Sequence, residues 1–283
     1  MKKQSFQLRN HPFLSIVIII LLLVITLIIS EILIQTFKIN TQMGRAGITF
    51  GAYAMLCFFM IPLLRLPRGK KSFSEYLFDI RLTFDKNIFY IVFISIICYL
   101  IFAGLQLAGS LIYFSFHPGQ FVFDPDNHSF LQSGSLNAGI YEEIIFRGVI
   151  LTLLLDRLSE NKSMLVSALA FGAIHLLNML NPSHQGIVWI GAQVIWAFAL
   201  GVMYAYLVIR INSILPAIIL HYFINAFTGV WLTIPQGETA VLILYHLAFF
   251  GILPAAIVVI WVRYLVKQGK FIKFQTAKNS ITE

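Results

Sequence analysis

The sequence predicts an all-α, polytopic transmembrane bundle of about eight helices, and three observations carry that expectation. Of the 283 residues, 59% are hydrophobic and only 11% charged, whereas a soluble domain is about half apolar and about a quarter charged. Apolar runs of spanning length recur along the chain without the period-two alternation of a membrane barrel. The basic residues gather in every second loop. Water could not solvate this much apolar surface in a soluble fold, so the bilayer must act as solvent.

The expected spans are residues 13–36, 46–64, 88–114, 135–156, 164–180, 187–209, 213–232 and 240–266. The first follows Lys2, Lys3 and Arg9 as a secretory leader would. Its apolar run is longer than a leader's, and no small-residue cleavage site follows, so it reads as a retained span. With both termini inside, all but three of the 20 basic residues fall on the cytoplasmic side. The exceptions are Lys38 and Arg45, in an outer loop, and Arg147, within a span. This asymmetry predicts an N-in, C-in cell-membrane protein. The net charge of +8 then reflects basic loops facing anionic lipid, not a nucleic-acid partner.

Between the second and third spans, Phe73, Tyr76, Leu77 and Ile80 recur at helical spacing among basic residues. An amphipathic helix on the inner surface and an irregular loop both fit this stretch. Turn chemistry explains the outer loop 115–134. Cys57 and Cys98 lie in apolar runs and read as small core residues, with no disulfide expected. Glu31 and Asn178 fall near span ends, as do Tyr204 and Tyr206. Snorkelling, capping and interface anchoring account for them.

Ionisable groups within a span are costly and point to function when they have partners. The fourth span contains Glu142, Glu143 and Arg147. Glu143 and Arg147 are four residues apart, share a helix face and neutralise each other; a salt-bridged packing device by itself explains that pair, and a functional role is the lesser reading. Glu142 lies about 100° round an α-helix from its neighbour. It therefore needs a partner on another helix, and such a carboxylate suits general-base work. The fifth span offers Phe171 and His175, the seventh His221 and Asn225, again at four-residue spacing. Together these groups could bind a water, orient it and stabilise an oxyanion.

The series Glu142-Glu143-x-x-x-Arg147, Phe171-x-x-x-His175 and His221-x-x-x-Asn225 on successive apolar helices resembles the CPBP family. That family joins the type II CAAX prenyl proteases and the bacterial Abi proteins. The resemblance covers residues 135–232 and implies an intramembrane endopeptidase. Glu142 would activate the attacking water, His175 would hold it, and His221 with Asn225 would form the oxyanion site. Glu143, Arg147 and Phe171 would support them from behind. The family implies either zinc held by Glu142, His175 and His221 or a glutamate-activated water; no obligatory metal is the expectation adopted here. Implied partners are a peptide or membrane-protein substrate and the lipid bilayer. Implied roles are bacteriocin or pheromone processing, self-immunity and CAAX-type processing. Residues 1–134 would then supply N-terminal spans and the inner-surface loop, and 233–283 the last span and basic tail.

Other intramembrane protease classes fit less well. There is no His-Glu-x-x-His, no Gly-x-Ser-Gly within a span and no intramembrane Gly-Asp pair. Two readings outside catalysis remain: a scaffold regulating a partner membrane protein, and a transporter with a Glu/His proton relay. The latter lacks the expected inverted repeat and broken helices.

Overall fold

The computed structural model describes residues 6–69, 72–82, 88–116, 133–180, 186–227 and 240–269. Six helices among them are long and apolar enough to cross a membrane: α1 (Pro12–Thr36), α2 (Met43–Leu63), α4 (Ile88–Phe116), α6 (Glu160–Met179), α7 (Ile187–Ile211) and α9 (Ala240–Lys267). The chain is a multi-pass integral membrane protein. The short α3 (Phe73–Asp79) precedes α4. The two other expected spans are helical but of different character. Residues 133–155 form α5, which carries Glu142, Glu143 and Arg147. The 13-residue α8 (Leu215–Phe227) is about 20 Å long at 1.5 Å per residue, short of a hydrocarbon core of about 30 Å. Loop 115–134 and the end of the basic tail lie largely outside the described residues.

The bundle is sorted by solvent. On α1, Val17, Leu21, Ile25, Ile28 and Ile32 are all about half exposed, whereas Ile16, Ile19 and Leu23 are buried. The outward residues form an apolar stripe that only lipid would solvate favourably. Cys57 and Cys98 are free and wholly buried, as core residues should be. Glu31 forms an ion pair with Arg45 at 3.1 Å, so it has a protein partner at the helix end.

Helices α6 and α7 pack closely because small residues line their contact. A Cβ on Gly172 would lie 2.9 Å from the Val194 carbonyl, and one on Gly201 would lie 3.0 Å from Ala168 Cα and 3.2 Å from Arg147 Nη2. Any larger side chain must separate the backbones, since lipid offers no hydrophobic drive to hold them together. Ser167 on α6 donates to the Phe146 carbonyl at 2.8 Å and ties α6 to α5.

At the other end of α5 a polar clasp fixes the loops. Helix α3 begins with a capping box, in which Ser72 and Glu75 satisfy each other's backbone N–H groups. It turns inward: Tyr76 donates to the Cys57 carbonyl at 2.6 Å, and Ile80 is fully buried against Gly148. Of the two readings of this stretch, the helix holds for Phe73–Asp79, and part of its apolar face docks on the bundle. Arg81 donates to Asn212 Oδ1 at 3.0 Å and to the Thr152 hydroxyl. Arg68 makes a two-pronged contact with Asp156 at 3.0 and 2.7 Å. That hydrogen bond, above all, holds the Arg68 pKa up.

Candidate active site

Helix α5 is where the site begins, and it is not regularly α-helical. Ala138–Glu142 and Ile144–Ile150 wind as π-helix, with i→i+5 bonds and wider turns than an α-helix; such stretches often mark functional sites. Wider turns reduce the angle between consecutive side chains. Glu142 and Glu143, expected to face different neighbours, thus address the same imidazole.

That imidazole is His221, on α8. Its Nδ1 lies 2.8 Å from Glu143 Oε1, and its Nε2 lies 4.0 Å from Glu142 Oε2. Glu143 Oε1 also accepts from Arg147 Nη1 at 3.0 Å. Glu143 and Arg147 are completely buried, whereas Glu142 keeps 25% of its side chain exposed. Six residues of sequence thus yield a neutralised pair in the interior and one carboxylate reaching an accessible space. Beside Arg147, Glu143 is an ionised acceptor, so the His221 Nδ1 proton points at it. This fixes the ring and turns Nε2 towards Glu142, the arrangement by which a carboxylate orients a catalytic histidine.

Arg147 is held by more than its carboxylate. Its guanidinium carbon sits 4.1 Å from the Phe171 ring centre and 5.1 Å from that of Tyr204. Its Nε and Nη2 have no hydrogen-bond partner among the described residues, so these ring faces supply much of its remaining stabilisation. Phe171 also joins the two imidazoles. It meets His175 edge-on at 5.2 Å and His221 edge-on at 5.8 Å. His175 lies where α6 tightens into a 3-10 turn, and its Nδ1 is 2.9 Å from the Phe171 carbonyl. A carbonyl only accepts, so Nδ1 carries the proton. Nε2 of the neutral ring is left as a lone-pair acceptor.

Asn225 is exposed and makes no side-chain hydrogen bond among the described residues. The structure thus draws Glu142, Glu143, Arg147, Phe171, His175 and His221 into one connected cluster and leaves Asn225 at its edge. Among the described residues, no three His, Cys, Asp or Glu side chains converge in a metal-binding group. Glu142, His175 and His221 have donor chemistry suited to zinc but are not gathered as a ligand set in this geometry.

Two residues read differently in the fold. Tyr204 was expected to be an interface anchor, yet it is fully buried and its ring stacks on His221 at 5.2 Å and 19°. The signal was its spacing: Ala197, Gly201 and Tyr204 share the inward face of α7, all buried. His246, which lies apart from the cluster, is buried in a π-helical stretch of α9 and packs edge-on against Trp189 at 4.6 Å. Asn178 is not simply a cap: its amide donates to Gln193 Oε1 at 2.9 Å.

Tyr204 invites a direct test. Its hydroxyl is buried without a partner among the described residues, so Tyr204→Phe should leave thermal stability unchanged or slightly raised. Tyr204→Leu removes the rings' contact with His221 and Arg147 and should cost on the order of 1–2 kcal/mol. Thermal denaturation in detergent reads both.

Residues 127–227 match the family model for Type II CAAX prenyl endopeptidase Rce1-like. This Rce1-like segment is about a third of the chain, and it contains the whole cluster from Glu142 to Asn225. No curated protein and no solved structure matches the chain. Within the Rce1-like segment lie the α6–α7 contact through Gly172 and Gly201 and the His221–Tyr204 stack. The family resemblance and the side-chain cluster therefore fall on the same stretch of chain.

Proposed function

We propose that this protein is an intramembrane endopeptidase, hydrolysing a peptide bond of a membrane-associated or secreted-peptide substrate with a water activated by Glu142. The observation that carries the proposal is His221 held between two glutamates: Nδ1 bonded to buried Glu143, Nε2 facing the partly exposed Glu142. A structural ion pair needs Glu143 and Arg147 alone. It gives no reason for a third ionisable group to be oriented towards a fourth.

In this mechanism the water lies between Glu142 and the free Nε2 of His175. Glu142 takes a proton as the water oxygen attacks the carbonyl carbon, and the carbonyl oxygen becomes an oxyanion. Protonated His221, oriented by its Nδ1 bond to Glu143, donates from Nε2 to that oxyanion, assisted by the Asn225 amide. The C–N bond then breaks, and the proton held by Glu142 passes to the leaving nitrogen. The membrane face bearing the basic loops is cytoplasmic, with both termini on that side. Processing of secreted peptides, self-immunity and CAAX-type maturation are the roles this chemistry would serve.

The test compares membranes carrying the wild type with membranes carrying Glu142→Gln, using mass spectrometry of released peptides. A product that depends on Glu142 supports the proposal. Biological output that survives in the variant would instead mark a non-catalytic scaffold. No step above is routed through a metal, so cleavage by purified protein should persist after exhaustive chelation. Loss on chelation with recovery on adding zinc would assign Glu142, His175 and His221 as ligands.

A further inference from the structure

Away from this cluster, the arginines near the loop ends are held in different ways: Arg81 and Arg157 donate to neutral side-chain oxygens of Asn212, Thr152 and Asn10. Arg45, Arg68 and Arg210 each form an ion pair with a carboxylate. Arg9 and Arg65 have no carboxylate partner among the described residues. Both line one cavity of about 530 Å³ between the N-terminal turn and the end of α2.

The backbone keeps this cavity open. Gly69 has φ +108°, and a Cβ there would lie 2.7 Å from Arg9 Nη1. A side chain would therefore displace the guanidinium, besides straining the backbone. The space lets Arg9 Nη1 donate to the Arg68 carbonyl at 2.9 Å while its Nε donates to Gln7 at 2.8 Å. Two anchors thus fix the head and leave Nη2 free of protein partners among the described residues. Arg65 adopts φ +60°, a left-handed conformation that costs a non-glycine residue energy and clusters at ligand sites.

The remaining walls are apolar and open. Phe6 is 68% exposed and Leu63, the last residue of α2, is 66% exposed. The cavity therefore sits at the level where a spanning helix leaves the hydrocarbon. Two uncompensated guanidinium groups beside exposed apolar side chains suit a ligand with an anionic head and a greasy tail. A free anion would satisfy the arginines and leave Phe6 and Leu63 uncovered.

We propose that this cavity binds the phosphate headgroup of an anionic phospholipid between Arg9 and Arg65, its acyl chain lying against Phe6 and Leu63. Native mass spectrometry of the full-length protein in detergent tests this, with titration of phosphatidylglycerol, of phosphatidylcholine with the same chains, and of inorganic phosphate. Wild type should retain phosphatidylglycerol over phosphatidylcholine, and Arg9→Gln/Arg65→Gln should weaken that retention about tenfold or more. Arg65→Lys should keep most of it. Equal retention of both lipids, or undiminished retention by the double variant, would overturn the site. Displacement of phosphatidylglycerol by an equal concentration of inorganic phosphate would overturn the lipid assignment. Should the double variant fail to fold, Arg65→Gln decides the matter, because the Arg65 side chain makes no hydrogen bond or ion pair among the described residues.

Discussion

Glu142→Gln should lower the rate of peptide hydrolysis by about 10²–10⁴-fold, the usual contribution of a positioned general base, with little change in stability. The amide matches the carboxylate in shape, so packing in α5 is preserved. Glu142 is partly exposed and makes no hydrogen bond among the described residues; its nearest ionic neighbour is His221 Nε2 at 4.0 Å. Nothing buried is therefore stranded by removing its charge. What is lost is the ability to take a proton from water. A purified preparation with an unshifted denaturation midpoint but residual turnover at this level is the expected result. Wild-type turnover would remove Glu142 from the chemistry altogether.

Arg147→Met should do the reverse, acting first on the fold. The side chain is replaced by one of similar length, but Glu143 remains wholly buried without its cation. Breaking a buried pair from one side costs about 3–5 kcal/mol, because an uncompensated charge is left behind. The contacts of the guanidinium with Phe171 and Tyr204 go with it. The denaturation midpoint and membrane abundance should both fall sharply. Adding Glu143→Leu should restore much of the stability, since removing both charges spares the desolvation cost. It should not restore hydrolysis, because His221 Nδ1 then has no acceptor. Stability recovered without turnover separates the two duties of Glu143; recovery of both would make it a packing residue.

These effects show what could be read from the sequence and what could not. Long apolar runs such as Pro12–Thr36 declare themselves, because a spanning helix must be apolar throughout. The Glu143–Arg147 pair was legible because helical spacing alone brings the charges together. The convergence of Glu142 and Glu143 on one imidazole was not: an α-helical wheel sends the two apart, and the π-helical winding of 138–142 and 144–150 leaves no mark in residue type. His221 had the expected neighbourhood but not the expected bond, since which oxygen meets Nδ1 depends on how α8 lies against α5. Tyr204 was missed because tyrosine near a span end ordinarily anchors at the interface. Only the small-residue face it shares with Gly201 hinted otherwise.

One oxygen atom, Glu143 Oε1, accepts from both Arg147 and His221. Under the proposed mechanism, robustness and turnover are thereby set against each other at a single point. A laboratory selection for heat resistance alone would favour greasy pairs at positions 143 and 147, since close-packed hydrocarbon often matches or exceeds a buried ion pair. Lineages evolved that way should become hardier and idle together. Only a screen that also scores cleavage would keep the charged pair in place.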